Sequence, residues 1–439
     1  MASYSRRDFL ETSTAAVVGA GVAPYVQARP DGVPPSDQLR FGVIGCNGMG
    51  WTDMQAHQRL PGVECVALCD VDRNVLEKRA GELDEQTGER PALYDDYRRL
   101  LENDDVDFVI IGTPDHWHCL PMVEACQAGK DVYVEKPLGN SVGECIVMQR
   151  AAEQTGRVVQ VGQWQRSAPH WQQAAEYVRS GTLGAIRTVK AWAYQGWMDP
   201  IEPKPDQAPP DGVDYDFWLG PAPKRPFNPN RFHFDFRWFW DYAGGLMTDW
   251  GVHLIDYALH GMDATAPSAV ASMGGPFGYP PSVDASETPD TQQALYTFED
   301  FTLLWEHATG IDGGPYGRDH GVAFIGNNGT LVVDRGGWEV RPETDDGEYK
   351  LDAVPPRDGE GGLNAHAENF VDAIRGDATP NCPVDVAANT AMVAHLGNVA
   401  HRVGRRVEWD AAAHQFVDDP DADAHLWPSY RDPWSLPEL

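Results

Sequence analysis

Lysine is scarce in this chain. Seven lysines and 27 arginines stand against 66 aspartates and glutamates, for a formal net charge of −32. A surface of that sign repels phosphate backbones and anionic headgroups, which excludes nucleic acid and membrane surfaces as partners. It also suits a high-salt habitat, where screening relieves the self-repulsion. Cysteine pairing is missing too. The seven cysteines, at 46, 65, 69, 119, 126, 145 and 382, are odd in number and contain no Cys-x-x-Cys, which argues against a disulfide framework and a zinc or redox motif. No internal repeat or low-complexity tract is evident. What remains is an ordinary globular composition, 42% hydrophobic and 23% charged over 439 residues, enough for two cores.

The first residues read as an address. Ser5-Arg6-Arg7-Asp8-Phe9-Leu10 looks like a twin-arginine export motif, and the uncharged stretch from Ala15 to Val26 behind it is too short to span a bilayer. Cleavage is expected near Ala28, placing the mature chain in the periplasm or outside the cell. Unpaired thiols agree with that route, which carries cargo already folded in a reducing compartment.

From Leu39 short apolar runs ending at Gly45, Asp70, Gly112, Glu135 and Gly162 alternate with helical periods such as 74–81, 122–128 and 142–155. That rhythm predicts βαβ units and a parallel sheet. After Gln163 it changes: a helix over 170–180, a strand over 186–194, an aromatic-rich loop, a helix over 245–259, then clustered strands without helices and two closing helices. The fold expected is α/β, an N-terminal Rossmann parallel sheet followed by an α+β domain on a mostly antiparallel sheet. The expected divisions are 1–37 (export signal and linker), 38–162 (nucleotide binding), 163–410 (substrate and oligomerisation) and 411–439 (acidic extension).

The turn after the first strand, Gly45-Cys46-Asn47-Gly48-Met49-Gly50, is a G-x-G-x-x-G frame with Asn47 in the middle. Asn tolerates left-handed backbone, so the frame survives, and a helix beginning there points free amides at a pyrophosphate. Asp70 ends the next strand twenty residues beyond Gly50, where a carboxylate accepts from ribose hydroxyls and repels a 2′-phosphate. NAD is favoured over NADP, although Arg73 lies close enough to blur the preference.

Gly112-Thr113-Pro114-Asp115-His116-Trp117-His118, Val134-Glu135-Lys136-Pro137-Leu138 and Gly244-Gly245-Leu246-Met247-Thr248-Asp249-Trp250-Gly251-Val252-His253, with the glycine turn, closely resemble the Gfo/Idh/MocA oxidoreductase family over nearly all of the chain after the export segment. Asp249 and His253, four apart in a helical stretch, share a face. Hydride removal from a carbinol needs a base for the hydroxyl proton, and histidine suits it. The resemblance implies that Lys136, Asp249 and His253 act together, with His253 as base, Lys136 donating to or relaying from the substrate oxygen, and Asp249 holding the substrate or orienting the base. It also implies that Thr113, Pro114, His118, Glu135 and Gln163 lie about the nicotinamide. His116 ranks below His118, and a zinc site from His116, His118 and Cys119 is not expected because a fourth ligand is missing.

Aromatic and arginine density points to a sugar. Trp164, Arg166, Tyr194, Trp240 and Tyr242 are the expected substrate contacts, because flat rings beside hydrogen-bonding groups suit C–H faces and hydroxyl edges. The function expected is NAD-dependent oxidation or reduction at a sugar or polyol carbinol, with the cofactor held tightly because soluble NAD is scarce outside the cytoplasm. The alternative, implied by relatives within the family, is an NAD-dependent glycosidase that oxidises transiently and eliminates an aglycone; a third is a non-catalytic binding protein. A homodimer or homotetramer is expected by analogy.

Overall fold

The computed structural model describes residues 38–439; the twin-arginine motif and the expected cleavage position lie outside them. Strand β1 (Leu39–Ile44) runs through the glycine turn into helix α1 (Gly48–Gln58). Alternation continues through β2 (Val63–Cys69), α2 (Arg73–Thr87), β3 (Ala92–Tyr94), α3 (Tyr97–Leu101), β4 (Phe108–Ile111), α4 (Cys119–Gln127), β5 (Asp131–Val134), α5 (Val142–Thr155) and β6 (Val159–Val161). The helices stop and start where local chemistry dictates. Asp72 and Ser141 accept backbone amides at the N-caps of α2 and α5, and left-handed Gly88 and Gly156 end the same two helices. The six strands pair in parallel in the order β3-β2-β1-β4-β5-β6, and β4 and β6 are buried at every residue because helices cover both faces. Strand order reverses between β1 and β4, so the crevice for a ligand opens at their carboxyl ends.

The second part begins with α6 (Pro169–Arg179), β7 (Ile186–Gln195) and α7 (Tyr215–Leu219). Next come α8 (Leu246–Asp249), α9 (Gly251–Met262), β8 (Ala269–Gly275), β9 (Thr291–Thr297), β10 (Thr302–Thr309), β11 (His320–Gly326), β12 (Gly329–Asp334) and β13 (Gly337–Pro342). A small hairpin of β14 (Thr344–Asp345) and β15 (Glu348–Tyr349) precedes β16 (Val354–Asp358), α10 (Leu363–Arg375), α11 (Val384–Val403), β17 (Val407–Asp410) and β18 (Gln415–Phe416). The ten-stranded sheet, ordered β16-β13-β12-β11-β7-β10-β9-β8-β17-β18, is antiparallel except where β7 meets β10. Along β7, Val189, Ala191 and Ala193 enter the core beneath the helices, while Trp192 and Tyr194 project to the opposite face in a separate small cluster.

The segment after β18 is less irregular than its acidity suggests. Phe416, Ala422 and Leu426 are buried anchors, and the chain then returns to the Rossmann sheet. Gly143 donates its amide to the Leu426 carbonyl, the Tyr430 hydroxyl donates to Glu144 at 2.6 Å, and Trp434 meets Trp117 edge-on at 4.9 Å. All seven cysteines are free and buried. No helix among the described residues is long and apolar enough to cross a membrane.

Candidate active site

The turn after β1 is built from close backbone contacts. Gly45 has φ 84° and Gly48 φ 49°, both in the left-handed region. A Cβ on Gly50 would stand 2.0 Å from the Gly45 carbonyl oxygen, and one on Gly112 would stand 2.4 Å from the Gly50 Cα. Gly50 therefore holds α1 against β4 beneath the turn. Asn47 departs from the sequence reading: its φ is −104°, ordinary extended backbone, and the left-handed position falls on Gly48. Apart from its chain neighbours and the backbone of its own helix turn, nothing lies within 4 Å of where a Gly48 Cβ would be, and Asn47 makes no side-chain cap on the first amides of α1. Open space over helix-terminal N–H groups fits a pyrophosphate.

A cavity of about 410 Å³ lies over this turn, lined by Gly45, Asn47, Gly48, Met49, Asp70, Thr113, Pro114, Glu135 and Lys136. Phe217, Trp218, Phe234, Phe236 and Arg237 form the wall contributed by the second domain. Asp70 accepts the Cys46 and Asp72 amides, each at 2.9 Å, which fixes the carboxylate while each oxygen keeps a lone pair. Arg73 lies at the exposed surface of α2, 3.6 Å from Glu77.

At the carboxyl end of β5, where the Lys136–Pro137 peptide is cis, Lys136 crosses to the second domain. Its Nζ donates to the Asp249 carboxylate at 2.6 Å and to the Asp249 carbonyl at 3.0 Å, and Arg237 Nε approaches the same carboxylate oxygen at 3.3 Å. Burial alone would raise the Asp249 carboxyl; Lys136 and Arg237 overcome it and hold the group well below the usual carboxylate range. His253 is buried one turn further on, across a helix that breaks at Trp250 between α8 and α9. Burial, then the Lys136 and Arg335 charges, push its imidazole far below its ordinary value, and Nδ1 has no protein partner. A neutral imidazole beside an ammonium and a carboxylate can take up a proton and pass it on.

Three carboxyls behind this group are protonated more readily than usual. Burial raises Asp115 and Glu135 to about 7 against the pull of Lys136 and Arg237. Asp53 on α1 is buried too; desolvation first and the facing Glu135 second hold it well above the ordinary range.

Several expected contacts lie elsewhere. His118 directs its ring nitrogens at the Pro137 and Thr113 carbonyls, at 2.6 and 2.9 Å, and ties the two strand ends together instead of facing a ligand. His116 is bonded to the Trp218 carbonyl at 3.0 Å. Gln163 donates to the Val252 carbonyl at 3.1 Å and accepts from Cys382, so it positions α9. Among the substrate expectations, Arg166 is committed to a bidentate pair with Asp256 at 2.7 and 2.8 Å. Tyr194 faces the far side of the sheet. Tyr242 is fully buried against His116 and Trp218, and Trp240 donates to the Glu287 carbonyl beside Arg402. Only Trp164 stays with the group, its ring 6.3 Å from that of His253.

Residues not singled out from sequence join the site instead. Trp250 packs against His253 and His320, at 6.4 and 4.9 Å, and Arg335 reaches in from the turn after β12. Nothing local marks Arg335; strand pairing delivers it. His233 bridges from the second domain to Asp72 at 3.0 Å at the cavity's other end.

Residues 39–163 match the oxidoreductase family, NAD-binding Rossmann fold, and residues 178–436 match the oxidoreductase family, C-terminal alpha/beta domain, both of the GFO_IDH_MocA group. A Glycosyl hydrolase family 109 protein of Shewanella baltica is 34% identical over 175 residues, 35% of this chain and 38% of that protein, so the chain spans under two-fifths of this curated relative. The WlbA dehydrogenase from Bordetella pertussis, solved with NADH and UDP-GlcNAcA, is 19% identical with a TM-score of 0.61 over 85% of this chain and 99% of its own. The aldose-aldose oxidoreductase from Caulobacter crescentus, solved with glycerol, is 21% identical with a TM-score of 0.63 over 84% and 99%. At such identities the two solved structures speak to the fold alone.

Proposed function

Because the chain belongs to the Gfo/Idh/MocA oxidoreductase family, we propose that it moves a hydride between a sugar or polyol carbinol and a tightly held NAD. The glycine turn and the α1 amides would hold the pyrophosphate, and Asp70 the adenosine ribose. Bound nicotinamide supplies the hydride acceptor for alcohol oxidation. The observation that carries the reading is the Lys136–Asp249 pair, which joins the cavity floor to the helix bearing His253. His253 takes the carbinol proton, Lys136 steadies the oxygen as it becomes a carbonyl, and Asp249 keeps Lys136 aimed. Export by the twin-arginine route and assembly as a homodimer or homotetramer belong to the same proposal.

The test is to purify the mature protein, release its nucleotide by denaturation, identify it, and then follow nicotinamide reduction with a panel of sugars. NAD in the released fraction and sugar-dependent reduction are expected. No nucleotide binding, added or bound, would end the reading.

The family 109 relatives support a second reading, in which a sugar hydroxyl is oxidised to a ketone, the neighbouring C–H loses its proton as the aglycone leaves with its bonding electrons, water adds across the resulting double bond, and hydride return to the ketone restores the alcohol. Aglycone release with no net NADH would favour it; NADH accumulation with free sugar favours the dehydrogenase.

A further inference from the structure

Arg335 occupies the turn between β12 and β13, and its guanidinium rests on two indoles, 4.7 Å from the Trp164 ring centre and 4.5 Å from that of Trp250. Both indoles also pack against His253, at 6.3 and 6.4 Å. The acids around Arg335 are already engaged: Asp334 with Arg318 at 2.8 Å, Asp319 with His320 at 2.7 Å, and Asp249 with Lys136 at 2.6 Å. Its own Nε is buried with no acceptor.

A half-buried guanidinium without a counter-ion is costly, and the setting makes this one unusual. The chain carries 66 acidic residues against 34 basic ones, so an arginine lacking an acid of its own is not for want of acids. Contact through ring faces uses the cation's charge and leaves its N–H donors free. Those donors form a planar fork that matches a carboxylate through two parallel hydrogen bonds. Lys136 and Arg237 share the single Asp249 carboxylate, so it is not left to serve Arg335 as well.

We infer that Arg335 receives the carboxylate of an acidic sugar, a uronic acid or its glycoside, and so sets the substrate class of the site. The inference rests on the hydride-transfer reading only for what happens next to the bound sugar; recognition of the anion stands on geometry.

The test is calorimetric binding of methyl glucuronide and methyl glucoside to the nucleotide-loaded protein, beside nicotinamide reduction by each. The wild type is expected to bind the glucuronide at least about tenfold more tightly, and Arg335→Met to shrink that ratio by about 10- to 100-fold. Arg335→Lys, which keeps the charge without the fork, should fall between, and decides the matter if the Met variant does not fold. Equal binding of the two sugars by the wild type, or an unmoved ratio in both variants, overturns the inference. So does a preference for a sulfated glucoside over the glucuronide: the fork can pair with two oxygens of a tetrahedral anion as well, and that outcome would assign the site to one. Arg335-dependent glucuronide binding with no nicotinamide reduction by any sugar would remove hydride transfer and leave the anion site standing. Reduction by both sugars with an unmoved ratio would do the reverse.

Discussion

Lys136, at the end of a Rossmann strand, donates at once to the carboxylate and the main-chain carbonyl of Asp249, at 2.6 and 3.0 Å. Two domains are thereby pinned at the point where chemistry would occur. With Lys136 and Asp249 so committed, His253 is the group with a free nitrogen. His253→Ala is expected to lower sugar-dependent nicotinamide reduction by about 10²- to 10⁴-fold while released nucleotide stays at wild-type stoichiometry. Full activity in that variant would remove His253 from the mechanism.

The two glycines of the turn should respond differently. At Gly48 the space is open and φ is 49°, so Gly48→Ala costs about 1 kcal/mol of stability yet places a methyl where the pyrophosphate would approach. Gly50→Ala drives a Cβ to 2.0 Å from a carbonyl oxygen and must shift α1 itself. Thermal melts with and without NAD separate them: Gly48→Ala loses chiefly the ligand-induced rise, Gly50→Ala the baseline. Identical behaviour would contradict the division of labour.

Asp70 is fixed by two backbone amides at the strand end, and Arg73 lies at the exposed surface of α2 beside Glu77. NAD should bind at least about tenfold more tightly than NADP, and Asp70→Ala should narrow the gap. Titration of nucleotide-free protein with each dinucleotide measures it; tighter NADP binding by the wild type would refute the assignment.

Glu144 is buried beneath Tyr430 with its pKa raised by burial from 4.5 to about 7, against the pull of the Tyr430 hydroxyl and two amides. A raised folded pKa means the native state keeps a proton the unfolded chain has released. Its stabilising effect is complete below the unfolded value and is lost as pH climbs through the folded one. Stability of the nucleotide-free protein should therefore decline between about pH 4.5 and 7. Glu144→Gln should flatten that decline by on the order of 3 kcal/mol. Denaturant melts across the range check it; an equal decline in both proteins would show that Glu144 does not titrate there. Asp249, with its lowered pKa, acts in the opposite sense, its contribution disappearing only in strong acid.

What the sequence makes legible is local. The glycine turn, Asp70 at a strand end, and Asp249 with His253 on one helical face each rest on spacing within a single element, and the spacing of the last pair survives the break at Trp250. Strand β3 escaped because Ala92-Leu93-Tyr94 is too short to show a period. Tyr194 illustrates a different limit: alternation along β7 tells which residues share a face, but not which face the helices cover. Arg166 suits a substrate contact on sequence alone because its partner Asp256 lies 90 residues away. Arg335 shows the same limit in reverse, since only the β11-β12-β13 meander carries it to His253.

The return of residues 426–434 onto α5 and Trp117 bears on how the protein must be made. During translation the nucleotide domain emerges early but lacks the side chains that cover this flank, with Trp427 seated over Gly143 and Trp434 against Trp117. A ribosome has to deliver residues 426–434 before that wall can be sealed, so maturation of the nucleotide domain waits on a segment made well after it.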